Sequence, residues 1–237
     1  RALARAARAS GVAVVRGAGQ AQVGIGDAGL GVTERRTPEL GDAGIVGAVA
    51  ATDPALLEHA AAAAAAAGLP LALAPCASLA ELAAGLGRIE RAGLAAARVL
   101  VTDAAGLIAA EHAPGVPGVG VDEARLDALI DLLGAHGASV VFGGIGEIPS
   151  VRTVVSDHDV ALAILRAAER GAAQLITLSA GARTKHRLSQ YGGGGLEFVH
   201  TRFLPYLGRL GASPDLLRGA SSANLARVLR IHREDHA

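Results

Sequence analysis

Short, continuous apolar runs alternate with capped helices along this chain, and that alternation constrains the fold more than any other feature. Strands are expected over 12–15, 45–49, 69–74, 98–102, 139–142 and 174–178. Each is an unbroken apolar stretch rather than an in-and-out pattern, the mark of a strand buried on both faces. Between them lie helices with recognisable ends. Asp53 caps a helix that has Pro54 in its first position and Gly68 just past its end. Ser78 with Glu81 forms a capping box for a helix ending at Gly93, and Ser156 with Asp159 starts another that ends at Gly171. Leu126, Leu129, Ile130 and Leu133 recur at the spacing of one helix face within 122–135. A loop containing Pro114 and Pro117 precedes that helix, and further helices over 196–210, 213–219 and 223–231 close the chain.

Strands alternating with helices mean an α/β fold in which helices cover a parallel sheet. Two architectures satisfy the pattern: an open doubly wound sheet, and a (β/α)8 TIM-barrel type lacking its first one or two strands. One domain over 1–237 suffices for either. Both put functional groups in the loops that follow the strands. A six-stranded barrel leaves two sheet edges unpaired, so either upstream strands or a partner chain is expected to cover them. The chain starts at Arg1 and contains no methionine, which points to a preceding N-terminal segment.

Charge narrows the partners. Lysine plus arginine equals aspartate plus glutamate at 22 each, so no net field draws nucleic acid or an anionic membrane. The longest apolar run, near 60–67, is alanine-rich and well short of the ~20 residues that span a bilayer. A single cysteine excludes an internal disulfide and fits a reducing compartment, so cytoplasm is the expected location. With two tyrosines, three phenylalanines and no tryptophan, the core must be built from Ala, Val, Leu and Ile. A small-molecule ligand, a protein partner or a second copy of the chain remain open as partners.

The loops after the strands offer few reactive groups. Gly24-Ile-Gly26-Asp-Ala-Gly29 has dinucleotide-loop spacing, yet 32–38 is not the apolar-periodic helix that would hold a pyrophosphate. Asp53 is already used as a cap. Cys76 has no His or Lys near it in sequence and reads as a small buried hydrophobe. Asp103 is the best acidic candidate, Glu147 follows three glycines and cannot be placed, and Asp157-His158-Asp159 is the densest ligand-like run. No histidine pair has the H-x-H or H-E-x-x-H spacing of a metal site. The basic cluster Arg183-Thr-Lys-His-Arg187 could take a phosphate or carboxylate, with a solvated loop as the simpler alternative.

The segment Leu178-Ser-Ala-Gly-Ala-Arg183, Tyr191-Gly-Gly-Gly, Phe203-Leu-Pro205, Leu210-Gly211 and Ala223-Asn224-Leu-Ala-Arg227-Val-Leu229 resembles the C-terminal end of the phosphotriesterase family, in the amidohydrolase superfamily. Members carry a last-strand LS-x-D-x-x-R, a YGGG loop and a closing DNPARVL helix. Ala43-Gly-Ile-Val46, Gly68-Leu-Pro70, Ala92-Gly93 and Val141-Phe142-Gly-Gly-Ile-Gly146 extend the resemblance back over nearly the whole chain. It implies a TIM barrel whose two divalent metals, zinc for example, activate water for attack on a lactone, ester or phosphotriester. The implied ligands are an H-x-H pair on strand one, a carboxylated lysine or glutamate on strand four, a histidine on each of strands five and six, and an aspartate on strand eight.

Matched by motif, those positions from strand four onward read Gly47, Ala74, Asp103 and Gly181, and an aspartate of strand seven becomes Gly143. The strand-one pair would precede Arg1. The expectation is therefore a divergent hydrolase-like chain, a pseudoenzyme with a binding role that has lost the metal ligands and holds no cofactor. Its candidate catalytic residue is Asp103, its candidate substrate contact is Arg183, and no residue is assigned to a metal. The competing expectation is an active metal-dependent hydrolase that draws ligands from an N-terminal segment.

Overall fold

The computed structural model describes residues 17–18, 45–113, 116–147, 153–182 and 184–229. Its sheet is built from β1 (Gly17–Ala18), β2 (Ile45–Val49), β3 (Leu71–Leu73), β4 (Val99–Val101), β7 (Ser139–Ile145) and β8 (Ile176–Ala180). They pair in that order, every pair parallel. Each strand lies beside the next strand of the sheet in the chain, and the order never reverses. A doubly wound sheet needs such a reversal, so the winding is that of a barrel. No ladder joins β8 to β1 among the described residues. The strand expected over 12–15 lies outside them.

The helices form because their caps are local and complete. The Asp53 side chain accepts from the Leu56 N–H at 3.0 Å and opens α1 (Pro54–Ala66). Ser78 Oγ accepts from the Glu81 N–H at 3.1 Å before α2 (Leu79–Arg91), while Glu81 reaches back to the Ala77 N–H at 2.9 Å. Ser156 and Asp159 make the full reciprocal box of α5 (Asp157–Glu169). The apolar stripe of α4 (Glu123–His136) is buried at Leu126, Leu129, Ile130 and Leu133. Arg166 grips Asp127 with two hydrogen bonds of 2.8 Å and so ties α5 to α4, and that guanidinium holds the Asp127 carboxyl below its ordinary range.

One stretch departs from expectation. The segment with Pro114 and Pro117 contains a short helix α3 (Ala105–Ile108) and an antiparallel hairpin of β5 (Ala109–Ala113) and β6 (Val116–Val121). Its ladder is irregular, with register shifts between Ala109 and Glu111 and between Glu111 and Ala113. Pro117 is tolerated at such an edge, where an N–H need not pair.

The closing segment runs through a π-helical turn, Val199–Phe203, into α6 (Leu204–Arg209), α7 (Pro214–Arg218), a second π turn, Gly219–Ala223, and α8 (Asn224–Leu229). It is fastened to the beginnings of the strands. Asn224 Nδ2 donates to the Ala173 and Ile176 carbonyls at 2.8 and 2.7 Å. Arg227 donates to Ser139 Oγ at 3.2 Å and to the Gln174 carbonyl at 2.9 Å. Arg98, just before β4, donates to the Val228 and Gly68 carbonyls at 3.0 and 2.6 Å. The family-like Asn224-Leu-Ala-Arg227 motif is thus a clamp on the side of the sheet opposite the functional loops.

Asn224→Ala removes both donors and leaves two carbonyls short of partners. Such a loss costs about 1–3 kcal/mol, and urea denaturation should show a midpoint lowered accordingly.

Candidate functional site

The loops after the parallel strands converge on one face, and its chemistry is set by what each carries. In β2, Gly47 lies against the next strand: a Cβ there would sit 2.5 Å from Ala72 Cβ and 3.1 Å from the Ala72 backbone nitrogen and oxygen. No side chain enters that space without displacing a strand. After β3, the Ala74 N–H donates to the Val49 carbonyl at 2.8 Å, and Cys76 is buried. Burial, with a smaller push from the Glu81 charge, raises the Cys76 thiol to about 11. A thiol so protonated is no nucleophile at neutral pH.

After β4, Thr102 Oγ1 donates to the Leu73 carbonyl at 2.8 Å, and Asp103 follows with φ of 58°. It is the one non-glycine with positive φ among the described residues. Its carboxylate faces β7, where a Cβ on Gly143 would lie 3.7 Å from Asp103 Oδ1. The ligand-like run on α5 is dispersed by its own hydrogen bonds. Asp157 accepts from the Gly146 N–H at 3.0 and 3.3 Å, His158 Nδ1 lies 2.7 Å from the Tyr206 hydroxyl, and Asp159 serves the cap. Burial and then the Glu147 charge raise the Asp157 carboxyl against the lowering effect of the Gly146 N–H.

Sequence reasoning could not place Glu147, and here it is central. Gly144 and Gly146 turn with φ of 75° and 82°, and the Glu147 N–H closes the turn on the Gly144 carbonyl at 3.0 Å. The side chain then lies over Gly181, whose own N–H donates to the Ile145 carbonyl at 3.0 Å. A Cβ on Gly181 would run into Glu147 Cγ and come within 3.0 Å of both Glu147 Oε1 and the Gly144 carbonyl oxygen. The room for an eighth-strand aspartate is therefore taken by a carboxylate from the neighbouring loop. No sequence motif marks this, because it depends on two consecutive glycine turns.

Across from Glu147 stands Arg187, with Nη2 3.7 Å from Glu147 Oε2. Its backbone is held by the glycine loop: the Gly195 N–H donates to the Arg187 carbonyl at 2.9 Å, and any side chain on Gly193 would collide with that carbonyl group. Lys185 lies 4.8 Å over the Tyr191 ring. Arg183, the basic residue singled out in the sequence, lies outside the described residues.

No group of three or more His, Cys, Asp or Glu is placed to hold a metal among the described residues. Asp103, Glu147 and Asp157 supply carboxylates at this face but do not form such a group, so the described residues do not fit the family's two-metal centre. No described helix is long and apolar enough to cross a membrane.

No protein-family model matches the chain, and no curated protein matches it in sequence. Solved structures do match. A phosphotriesterase homology protein from Escherichia coli, complexed with phosphate in its active site, is 20% identical with a TM-score of 0.65, covering 79% of this chain and 60% of its own. A resiniferatoxin-binding protein from Rhodobacter sphaeroides is 26% identical with a TM-score of 0.65, covering 81% of this chain and 53% of its own. A mutant phosphotriesterase-like lactonase from Deinococcus radiodurans is 18% identical with a TM-score of 0.60, covering 79% and 57%. The chain thus spans between half and two thirds of the length of these structures. The family likeness carried by the motifs is borne out, and the fold is that of phosphotriesterase-like hydrolases.

That likeness corrects one expectation. Absence of any cofactor was inferred from Gly47, Ala74, Asp103 and Gly181 alone, whereas the structural neighbours are phosphotriesterase-like hydrolases, whose family norm is two divalent metals. Four positions do not determine what the whole chain holds.

Two expectations test this geometry. Gly181→Asp should destabilise the fold by about 1–3 kcal/mol through overpacking, and Glu147→Ala in the same chain should recover part of that loss in urea denaturation. The Asp157 carboxyl is raised in the folded state, so its contribution to stability is complete below the unfolded-state value and is lost as pH rises through the folded one. Asp157→Asn keeps an acceptor for the Gly146 N–H without the charge. Its stability relative to the parent should be more favourable at pH 7 than at pH 3, and a difference that stays constant with pH would contradict the assignment.

Proposed function

We propose that this phosphotriesterase-type hydrolase fold no longer carries out the family's hydrolysis and serves as a binding protein, taking a small molecule or a protein partner at the face formed by the strand ends. One observation carries the reading: the space above Gly181 is filled by Glu147. A position that had merely lost its aspartate would leave room for substrate or water. This one is closed, and so is the space at Gly47, filled by Ala72. Simple reversion of either glycine would not rebuild the family's arrangement.

The carboxylate that replaces the aspartate is differently disposed. Glu147 sits on a loop, its side chain is 48% exposed, and the Arg187 guanidinium lies 3.7 Å from it. Catalytic groups act through preorganisation within a water-excluding site, and a half-exposed loop carboxylate lacks it. A neighbour of the same fold is named for binding, the resiniferatoxin-binding protein of Rhodobacter sphaeroides, so a binding role is compatible with this architecture.

Steady-state assays with a phosphotriester, an aryl ester and a lactone, each with excess zinc or manganese, test the proposal. Turnover should equal that of the Asp103→Ala variant and of a metal-only blank. Turnover that depends on added metal and disappears in Asp103→Ala would overturn it.

A further inference from the structure

Among the described residues of this face, Arg187 has a buried donor without a partner. Its side chain is only 15% exposed, and Nη1 is buried with no hydrogen-bond partner among the described residues. Nη2 looks toward Glu147 Oε2, but 3.7 Å is too long for a hydrogen bond. A buried guanidinium nitrogen left without an acceptor is costly, and a planar fork of donors is best satisfied by two oxygens of one oxyanion. Glu147 cannot supply both, because the Gly144–Gly146 turn and the packing on Gly181 fix where its carboxylate can reach.

We infer that Arg187 anchors an oxyanion site at this face, held in part by the chain's own Glu147, and that a free phosphate or carboxylate group displaces Glu147 to take both guanidinium nitrogens. The donor is preset: Gly195 holds the Arg187 carbonyl and Gly193 packs against it, so the backbone carrying the guanidinium is fixed. The competitor is open to solvent, with its side chain 48% exposed. Lys185 stands exposed beside Arg187 and adds positive charge to the approach. Asp157 places a second carboxylate close enough to repel Glu147 and so favours its departure rather than its retention. This inference rests on the same face as the proposed binding role but not on the absence of turnover, since it is read by binding alone.

Titration calorimetry of the whole chain with inorganic phosphate, and separately with acetate, tests it. Saturable binding is expected. Glu147→Gln, which keeps the shape and removes the competing charge, should tighten it up to about fivefold, the scale of an exposed ion pair. Arg187→Met should weaken it by about tenfold or more, as for loss of charge-assisted hydrogen bonds. Arg209→Met, on the exposed face of α6, should leave it unchanged. The tighter of the two anions identifies the class of group recognised. Equal affinity in Arg187→Met and the parent, no tightening in Glu147→Gln, or no saturable binding of either anion would overturn the site. Circular dichroism establishes that each variant is folded, and the Glu147→Gln comparison stands even if Arg187→Met does not fold.

Discussion

Parallel pairing of each strand with the next in the chain is the constraint from which the rest of the architecture follows. With every strand running the same way, the strand ends collect on one face and the strand starts on the other. The two faces then do separate work. At the starts, Arg98, Asn224 and Arg227 tie the closing helix to β4, β7 and β8 through backbone carbonyls and the Ser139 hydroxyl. At the ends lie Gly47, Asp103, Glu147, Gly181 and Arg187. A barrel-type fold can keep its stabilising face while its functional face is rebuilt, because few interactions couple the two. The motif residues Asn224 and Arg227 therefore report on fold, while Gly181 reports on chemistry.

Close backbone approach governs the functional face. Gly146 combines φ of 82° with contact against the Phe198 ring, and Gly193 admits no side chain because the Arg187 carbonyl occupies that direction. These positions shape the loop that presents Arg187 and the turn that presents Glu147. A carboxylate is retained near the end of β8, but it arrives from a different backbone and its neighbour is a guanidinium. That exchange alters what the group can do: it faces Arg187, a cation already present in the protein.

The local parts of this fold were readable from sequence. Asp53, Ser78 and Ser156 announced their helices because a cap needs only the next three residues. The strand cores were readable as apolar runs, with β2 matched at both ends and the others displaced by up to three residues. β7 runs on from Phe142 to Ile145 because pairing on β8 resumes at Ile145, opposite Ala180, past a register shift at the two glycines, and a reading by apolar content alone ends too early. The hairpin of β5 and β6 was hidden by Pro114 and Pro117 and by a sequence, Ala-Ala-Glu-His-Ala, with no strand-like pattern. The choice between barrel and doubly wound sheet was hidden too, since both use identical strands and differ only in pairing order. Glu147 was beyond reach for a related reason: its position follows from the turns at Gly144 and Gly146 and not from any spacing.

Asp103 shows why a structural and a chemical reading of one residue need not compete. Its left-handed backbone is costly for most side chains, but aspartate is among the few that adopt it. The conformation is enforced from both sides, by the Thr102 bonds to the Leu73 carbonyl and by the Ala104 N–H donating to the Val141 carbonyl at 3.2 Å. It turns the chain from β4 into α3, which is a sufficient reason for the residue. The same turn aims the carboxylate toward Gly143, where the missing side chain leaves it room. An acid at this face is thus a consequence of how the strand ends, and its presence there is not by itself a sign of catalysis.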